Sequence, residues 1–204
     1  MRLDRVITHG TFSLDGGTWE VDNNVWVYGD ETECVVIDAA HDATAIATAV
    51  GERACKAILC THAHDDHVNV AWELAAQLDA PVLLHPADRV LWDMTHDRAP
   101  SGDLSDGEVI TVGSSALTVR HTPGHAPGAV CFVGDGLVFS GDTLFCGGPG
   151  ATGRSYSDFP TILSSIKSSL LSLPQDTVVH TGHGDDTTIG AEAAAWDDWV
   201  ARGH

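Results

Sequence analysis

Lys56-Ala57-Ile58-Leu59-Cys60-Thr61-His62-Ala63-His64-Asp65-Asp66-His67 is the stretch from which the rest of the chain is read. Lys56 to Cys60 is a short apolar run and reads as a strand. It runs straight into His62-x-His64-x-Asp66-His67, four potential metal ligands within six residues. In a regular helix, side chains two apart point to different sides. In a turn at the end of a strand, His62 and His64 can converge on one metal. Asp66 and His67 then open a helix, where an acidic residue is favoured in the first turn. Carboxylates and imidazoles together suit Zn²⁺, Fe²⁺ or Mn²⁺.

Working outward, three more candidate ligands follow the same grammar. His125 lies in Thr122-Pro123-Gly124-His125-Ala126-Pro127-Gly128, Asp142 in Phe139-Ser140-Gly141-Asp142-Thr143, and His183 in Val179-His180-Thr181-Gly182-His183-Gly184. Each comes after an apolar strand-like run and sits near Gly, which allows a sharp turn. Strands are expected at Asn24–Tyr28, Glu33–Asp38, Pro81–His85, Glu108–Val112, Leu117–His121, Ala129–Val133, Leu137–Ser140 and Thr177–His180. Helices are expected at Asp42–Val50, Asp66–Leu78, Pro86–Met94, Pro160–Leu173 and Ile189–Ala201. Val70, Leu74 and Leu78 give the second helix its stripe, and Ile162, Ile166 and Leu170 the fourth. Ala99–Gly107 reads as an exposed loop between two halves of one domain, residues 1–204. Strands alternate with helices in both halves, and each half holds apparent hairpins. That pattern implies an α/β layered sandwich: two mixed sheets packed together, with helices outside. The ligand residues fall at strand ends, where sites in such folds sit.

Composition narrows the function. Apolar residues make up 43% of the 204, as in a globular domain. The net charge of −19 repels nucleic acid phosphates and anionic lipid, so neither is an expected partner. No apolar run reaches the roughly 20 residues needed to span a bilayer. Met1–Leu14 shows no signal-peptide pattern, and a cytoplasmic location is expected. The five Cys include no CxxC pair, so four of them (Cys34, Cys55, Cys60, Cys131) are expected to be buried small hydrophobes in a reducing compartment. Cys146 is in a loop near the motifs and is a candidate to line the site.

These motifs resemble the metallo-β-lactamase superfamily, and most of all its glyoxalase II (hydroxyacylglutathione hydrolase) branch. The resemblance spans Asn24 to about Glu192. It rests on HxHxDH, the Pro-Gly-His turn, Ser140-Gly141-Asp142-Thr143-Leu144-Phe145, and Gly182-His183-Gly184 followed by Thr187-Thr188-Ile189-Gly190. It implies a four-layer αββα sandwich and two divalent metal ions, with Zn favoured over Fe or Mn. By this similarity His62, His64 and His125 hold one metal, Asp66, His67 and His183 the other, and Asp142 bridges them. The implied reaction is hydrolysis of a small-molecule thioester by a metal-bridging hydroxide. A thiol leaves readily as thiolate, with a pKa of about 8.5 for a cysteine-like thiol, so little help from a general acid is needed. Asp66 is a candidate to orient the hydroxide as well as to ligate metal. Arg154 is a candidate to hold a substrate carboxylate, and Tyr156 a candidate substrate contact.

The chain departs from the pattern in two places. Typical glyoxalase II has an additional C-terminal helical region that helps bind glutathione, whereas only about twenty residues follow His183 here, which leaves the carrier thiol open. Gly153-Arg154-Ser155-Tyr156-Ser157-Asp158 stands where relatives often carry a Gly-Arg-Thr-Asp-like stretch. The main rival reading is a mononuclear iron persulfide dioxygenase of the same fold, with His62 or His64, His125 and Asp142 as ligands. A β-lactamase is disfavoured by Asp142, where some lactamases carry Cys, and a non-catalytic metal-binding regulator ranks below both. His9, His41, His85, His96, His121, His180 and His204 have no ligand context. Of these, His121 and His180 precede ligand turns and are read as packing residues, with contact to the ligands from behind as the alternative. Trp72, Trp92, Trp196 and Trp199 are read as core.

Overall fold

The computed structural model describes residues 1–203. His204 lies outside them. The chain opens with two 13-residue strands, β1 (Arg2–Leu14) and β2 (Gly17–Gly29), paired from Arg2↔Gly29 to Leu14↔Gly17. The two-residue connection is Asp15-Gly16, with φ of 54° and 77°. Positive φ at both positions is the geometry of a type I′ turn, for which Asp-Gly is a preferred sequence. The strand expected at Asn24–Tyr28 is thus the end of a much longer hairpin. Its outer part carries mixed polar and aromatic residues without the clean alternation that marks a strand in sequence.

β1 and β2 belong to a six-stranded sheet completed by β3 (Glu33–Ile37), β4 (Ala54–Leu59), β5 (Val82–Leu84) and β6 (Gly102–Asp103), in that order. The second sheet contains β7 (Val109–Val112), β8 (Ser115–His121), β9 (Val130–Gly134) and β10 (Leu137–Gly141). A small hairpin, β11 (Leu144–Phe145) with β12 (Gly148–Pro149), stands apart. β13 (Val178–Thr181) and β14 (Thr187–Thr188) complete the second sheet, whose order is β14-β13-β10-β9-β8-β7. The stretch 99–107, expected to be an exposed loop, supplies the short edge strand β6 and buries Leu104 completely.

Period-two alternation sorts the strand side chains into layers. Trp26, Tyr28, Val35, Ile37 and Leu59 face Val119, Val130, Phe132 and Phe139 between the sheets. Their sequence neighbours Val25, Val27, Cys34, Val36 and Ile58 face the opposite way. They pack with Ile46, Leu74 and Trp92 from α1 (Ala43–Val50), α3 (Ala71–Leu78) and α4 (Arg89–Thr95). On the far side, Cys131, Val138 and Val179 pack with Ile162, Ile189 and Trp199 from α5 (Phe159–Ser165), α6 (Ile189–Ala194) and α7 (Trp196–Arg202). Three apolar interfaces between four layers make the αββα sandwich. Cys34, Cys60 and Cys131 are buried, as are Trp92 and Trp199. Cys55 is half-buried. No helix among the described residues is long and apolar enough to cross a membrane.

Three expected helices are interrupted, and the helix expected at Pro86–Met94 opens with a 3₁₀ turn at Pro86–Asp88. Ile189–Ala201 divides at Ala195 into α6 and α7. Asp66–Leu78 splits into a single turn, α2 (Asp65–Val68), and α3. The loop after β3 causes the split: the Val70 N–H donates to Ala39 O at 3.2 Å, and Asn69 Oδ1 accepts from the His41 N–H at 2.8 Å. The helix expected at Pro160–Leu173 is α5 followed by a π-helical turn at Ile166–Leu170.

Candidate metal centre

The ends of β4, β8, β10 and β13 lie together at one edge of the sandwich, so the turns that follow them bring seven side chains into one cluster. His62, His64, Asp66, His67, His125 and Asp142 are buried, and His183 is partly exposed at the rim. Their donor atoms form three overlapping groups: His62-His64-His125, His62-His67-Asp142 and Asp66-His67-His183. His62 Nε2 and His125 Nε2 each lie 3.0 Å from His64 Nδ1. His67 Nε2 lies 3.1 Å from His183 Nε2. Asp142 stands between the groups, with Oδ2 3.5 Å from His125 Nε2 and 3.4 Å from His183 Nε2, and Oδ1 3.3 Å from His67 Nε2.

The outer nitrogen of four rings fixes which way each lone pair points. His125 Nδ1 donates to Ala151 O at 2.8 Å and His183 Nδ1 to Asp22 O at 2.7 Å. His67 Nδ1 donates to Asp38 Oδ2 at 2.8 Å. The Thr61 hydroxyl donates to Asp38 Oδ2, so at 3.1 Å it accepts from His62 Nδ1. All four Nε2 atoms therefore face inward, the direction in which a deprotonated imidazole offers its lone pair to a metal. Among the described residues, Asp142 Oδ1 has no hydrogen-bond donor although it is buried. A Cβ on Gly182 would collide with that same oxygen, so the backbone there leaves the space open. Converging ring nitrogens and a buried carboxylate oxygen without a well-formed hydrogen bond ask for a cation, whether a metal or protons on part of the cluster. The donor set fits divalent metal.

Electrostatics differ across the cluster. Burial lowers the pKa of His62, of His125, and of His64 to about 3, so these rings stay neutral. Burial also opposes charge on His67 and His183, but the carboxylates of Asp142 and Asp66 outweigh it. They raise His183 to about 10 and His67 well above its usual value. Asp66 is itself held at about 2: burial works against ionisation and is overcome by His67, His183 and the Asn23 amide.

Several groups that organise the site were not evident in the sequence. Asp38 closes β3 and accepts from Thr61 N at 2.8 Å as well as from His67. It is a strand-end Asp after a Val-Val-Ile run, the same signal that pointed to Asp142. Asp88 is fully buried and accepts from Ala63 N at 2.7 Å and from Gly128 N. It thereby ties the His62–His67 turn to the His125 turn. Burial raises its carboxyl to about 6.

A cavity of about 200 Å³ opens over the donors. Phe12, Trp19 and Val21 of the β1–β2 hairpin form one wall, and Ala151, Arg154, Ser155 and Ser157 the other. The Arg154 guanidinium stacks 3.7 Å over the Trp19 ring, and Ser155 N donates to Asp15 Oδ2 at 2.9 Å, closing the rim. The Asp15-Gly16 turn was the overlooked sequence signal for this wall. Two expected contacts do not line the cavity. Tyr156 sits at φ 70°, is 45% exposed and lies outside the cavity lining. Cys146 is exposed at the tip of the β11–β12 hairpin. Asp65 turns away from the cluster, its Oδ1 accepting from Ser13 N and Asp66 N at 3.0 Å. His121 stacks on His85 with centroids 4.0 Å apart, and His180 pairs with Asp186 at 2.9 Å, so neither reaches a donor ring from behind.

Comparison with known proteins agrees with this geometry. Residues 18–183 match the model of the metallo-β-lactamase superfamily. The hydroxyacylglutathione hydrolase GloC of Haemophilus influenzae is 30% identical over 184 residues, covering 81% of this chain and 87% of that protein. The di-iron-bound crystal structure of TTHA1623 is 35% identical with a TM-score of 0.76, covering 85% of this chain and 93% of the other. The crystal structure of BLEG-1 B3 metallo-β-lactamase is 30% identical with a TM-score of 0.79, covering 92% and 97%. A four-layer sandwich whose strand ends gather a His and Asp cluster, matched by this family model over most of its length, belongs to the metallo-β-lactamase superfamily.

Proposed function

We propose that this chain is a binuclear metal-dependent thioester hydrolase acting on an acyl conjugate of a low-molecular-weight thiol. The observation that carries the reading is the complete pair of three-donor groups with Asp142 between them. The name hydroxyacylglutathione hydrolase on a relative aligned over most of its length points to the thioester class. In this reading His62, His64 and His125 would hold one divalent ion and Asp66, His67 and His183 the second, with Asp142 placed to serve both; Zn is the expected metal. Bound there, the metal pair lowers the pKa of water and polarises a carbonyl.

The chain's own residues supply the rest. Thr61, Asp38, Ala151 and Asp22 hold the outer nitrogens, so the imidazoles do not rotate when a substrate enters. Phe12 covers the His64 ring at 5.0 Å between centroids and excludes water from that side. Asp66, held by Asn23 Nδ2 at 3.0 Å, is placed to orient water at the cluster. Arg154 forms no salt bridge among the described residues, the Asp15 carboxylate acting on it only through space, and presents its guanidinium at the cavity mouth, where it would hold a substrate carboxylate. Tyr156 and Cys146, outside the cavity wall, have no part in this reading.

The test is a metal count by elemental analysis together with a substrate panel: hydroxyacyl and formyl thioesters of glutathione and other cellular thiols, a β-lactam, and a persulfide. Two metals per chain with thioester turnover are expected. A two-metal protein that leaves every thioester intact sinks the proposal. Oxygen uptake with the persulfide at one iron per chain would replace it with the dioxygenase reading.

A further inference from the structure

The loop after β3 holds two non-glycine residues at positive φ, Asp38 at 63° and His41 at 62°. Side chains with a Cβ rarely adopt this region, and they stay there only where surrounding contacts over-determine the backbone. Asp38 is held by His67 and Thr61. His41 is hydrogen-bonded to none of the seven donor residues, yet its ring is fixed from both sides. Its N–H donates to Asn69 Oδ1 at 2.8 Å, which turns the Asn69 amide so that Nδ2 donates to His41 Nδ1 at 2.9 Å. The ring proton is therefore on Nε2, which donates to Asn23 Oδ1 at 2.9 Å. That bond orients Asn23 in turn. Its Nδ2 then donates to Asp66 Oδ2 at 3.0 Å and faces His67 Nε2 at 3.3 Å. On β1, Gly10 is matched to this ring, since a Cβ there would run into the imidazole.

We infer that His41 is a positioning residue for the Asp66-His67-His183 group alone, acting through the Asn23 amide to fix the Asp66 carboxylate. Every bond in the chain His41–Asn23–Asp66 ends at that group, and none reaches His62, His64 or His125. Metal affinity at the second group therefore depends on His41, and affinity at the three-histidine group does not. The inference rests on the two-metal reading above.

The test is competition titration of the metal-free protein with Zn²⁺ against a chromophoric chelator, which resolves the two affinities. His41→Asn tolerates a left-handed backbone but is too short to reach Asn23. It is expected to weaken one class of site by roughly 10- to 100-fold and leave the other unchanged. His41→Gln, whose amide nitrogen falls near the imidazole Nε2 position, is expected to recover most of the loss. If His41→Asn does not fold, Asn23→Ala interrupts the same link and is expected to weaken the same class. Unchanged affinities, equal weakening of both classes, or no recovery with Gln each overturn the inference. Thioester turnover is read separately. A wild type that binds two Zn²⁺ and hydrolyses nothing overturns the hydrolase reading and leaves this one standing. A wild type that binds one Zn²⁺ overturns both.

Discussion

The two donor groups on either side of Asp142 are built from similar residues but held by different physics. Around His62, His64 and His125, burial dominates: the rings are neutral, and two of their outer nitrogens end on an uncharged hydroxyl and a carbonyl. Around His67 and His183, carboxylates dominate, and protons are held where a cation would sit. The first group is a preformed nest of lone pairs. The second must give up protons to take a metal. Similar ligand types in one cluster can thus have unlike affinities, and the surrounding residues set the difference.

The largest effect is expected at the residue between the groups. Asp142→Ala should lower kcat/KM for the thioester by on the order of 10³-fold and deplete metal from both groups. Retention of two metals would show that the groups do not depend on a shared carboxylate. Next is pH. His183, raised to about 10, keeps a proton at neutral pH that a metal must displace, whereas His64, lowered to about 3, has none to lose. Zn²⁺ affinity at the second group should therefore rise from pH 6 to pH 8, by roughly tenfold per pH unit for each displaced proton, while the three-histidine group changes less. Chelator competition at the two pH values reads both, and parallel slopes would erase the distinction.

Asp88→Ala should act on the other side of the comparison. Loss of its bonds to Ala63 N and Gly128 N frees the His62–His64 turn from the His125 turn. A loss of roughly tenfold or more in affinity at the three-histidine group is expected. An equal loss at the second group would mean that Asp88 stabilises the whole edge. The smallest effect is expected at the rim. Trp19 is 41% exposed, and Trp19→Ala removes the ring beneath Arg154. KM should rise about fivefold, in line with a cation–π contact worth about 1 kcal/mol, with metal content and Tm unchanged.

Much of this centre was legible in the chain itself. His62, His64, Asp66, His67, His125, Asp142 and His183 are all chemically conspicuous and follow apolar runs, so local pattern marks them. A layered sandwich of two mixed sheets was equally legible, because strands alternate with helices in both halves and each half holds hairpins; the four-layer αββα order came from the resemblance to the superfamily. The helix break at Asn69–Val70 was not, since the stripe of Val70, Leu74 and Leu78 is sound by itself. Only the carbonyl of Ala39, thirty-one positions earlier, captures the Val70 N–H. The cavity wall was missed for a different reason. Phe12 and Trp19 flank an Asp-Gly turn that is a hairpin signal, but the strands beside it alternate poorly.

The sequence by itself determined the alternation of strands with helices and marked the seven clustered His and Asp side chains as candidates, because periodicity and strand-end glycines are local properties. The tertiary structure decided which donors meet, which ring nitrogens point inward, and how the two groups differ in charge. It also gave Asn23, His41 and Asp88 their places around the centre. Those roles depend on contacts between residues far apart in the chain, such as His41 with Asn23 or Asp88 with Gly128, and no local pattern encodes such a pairing.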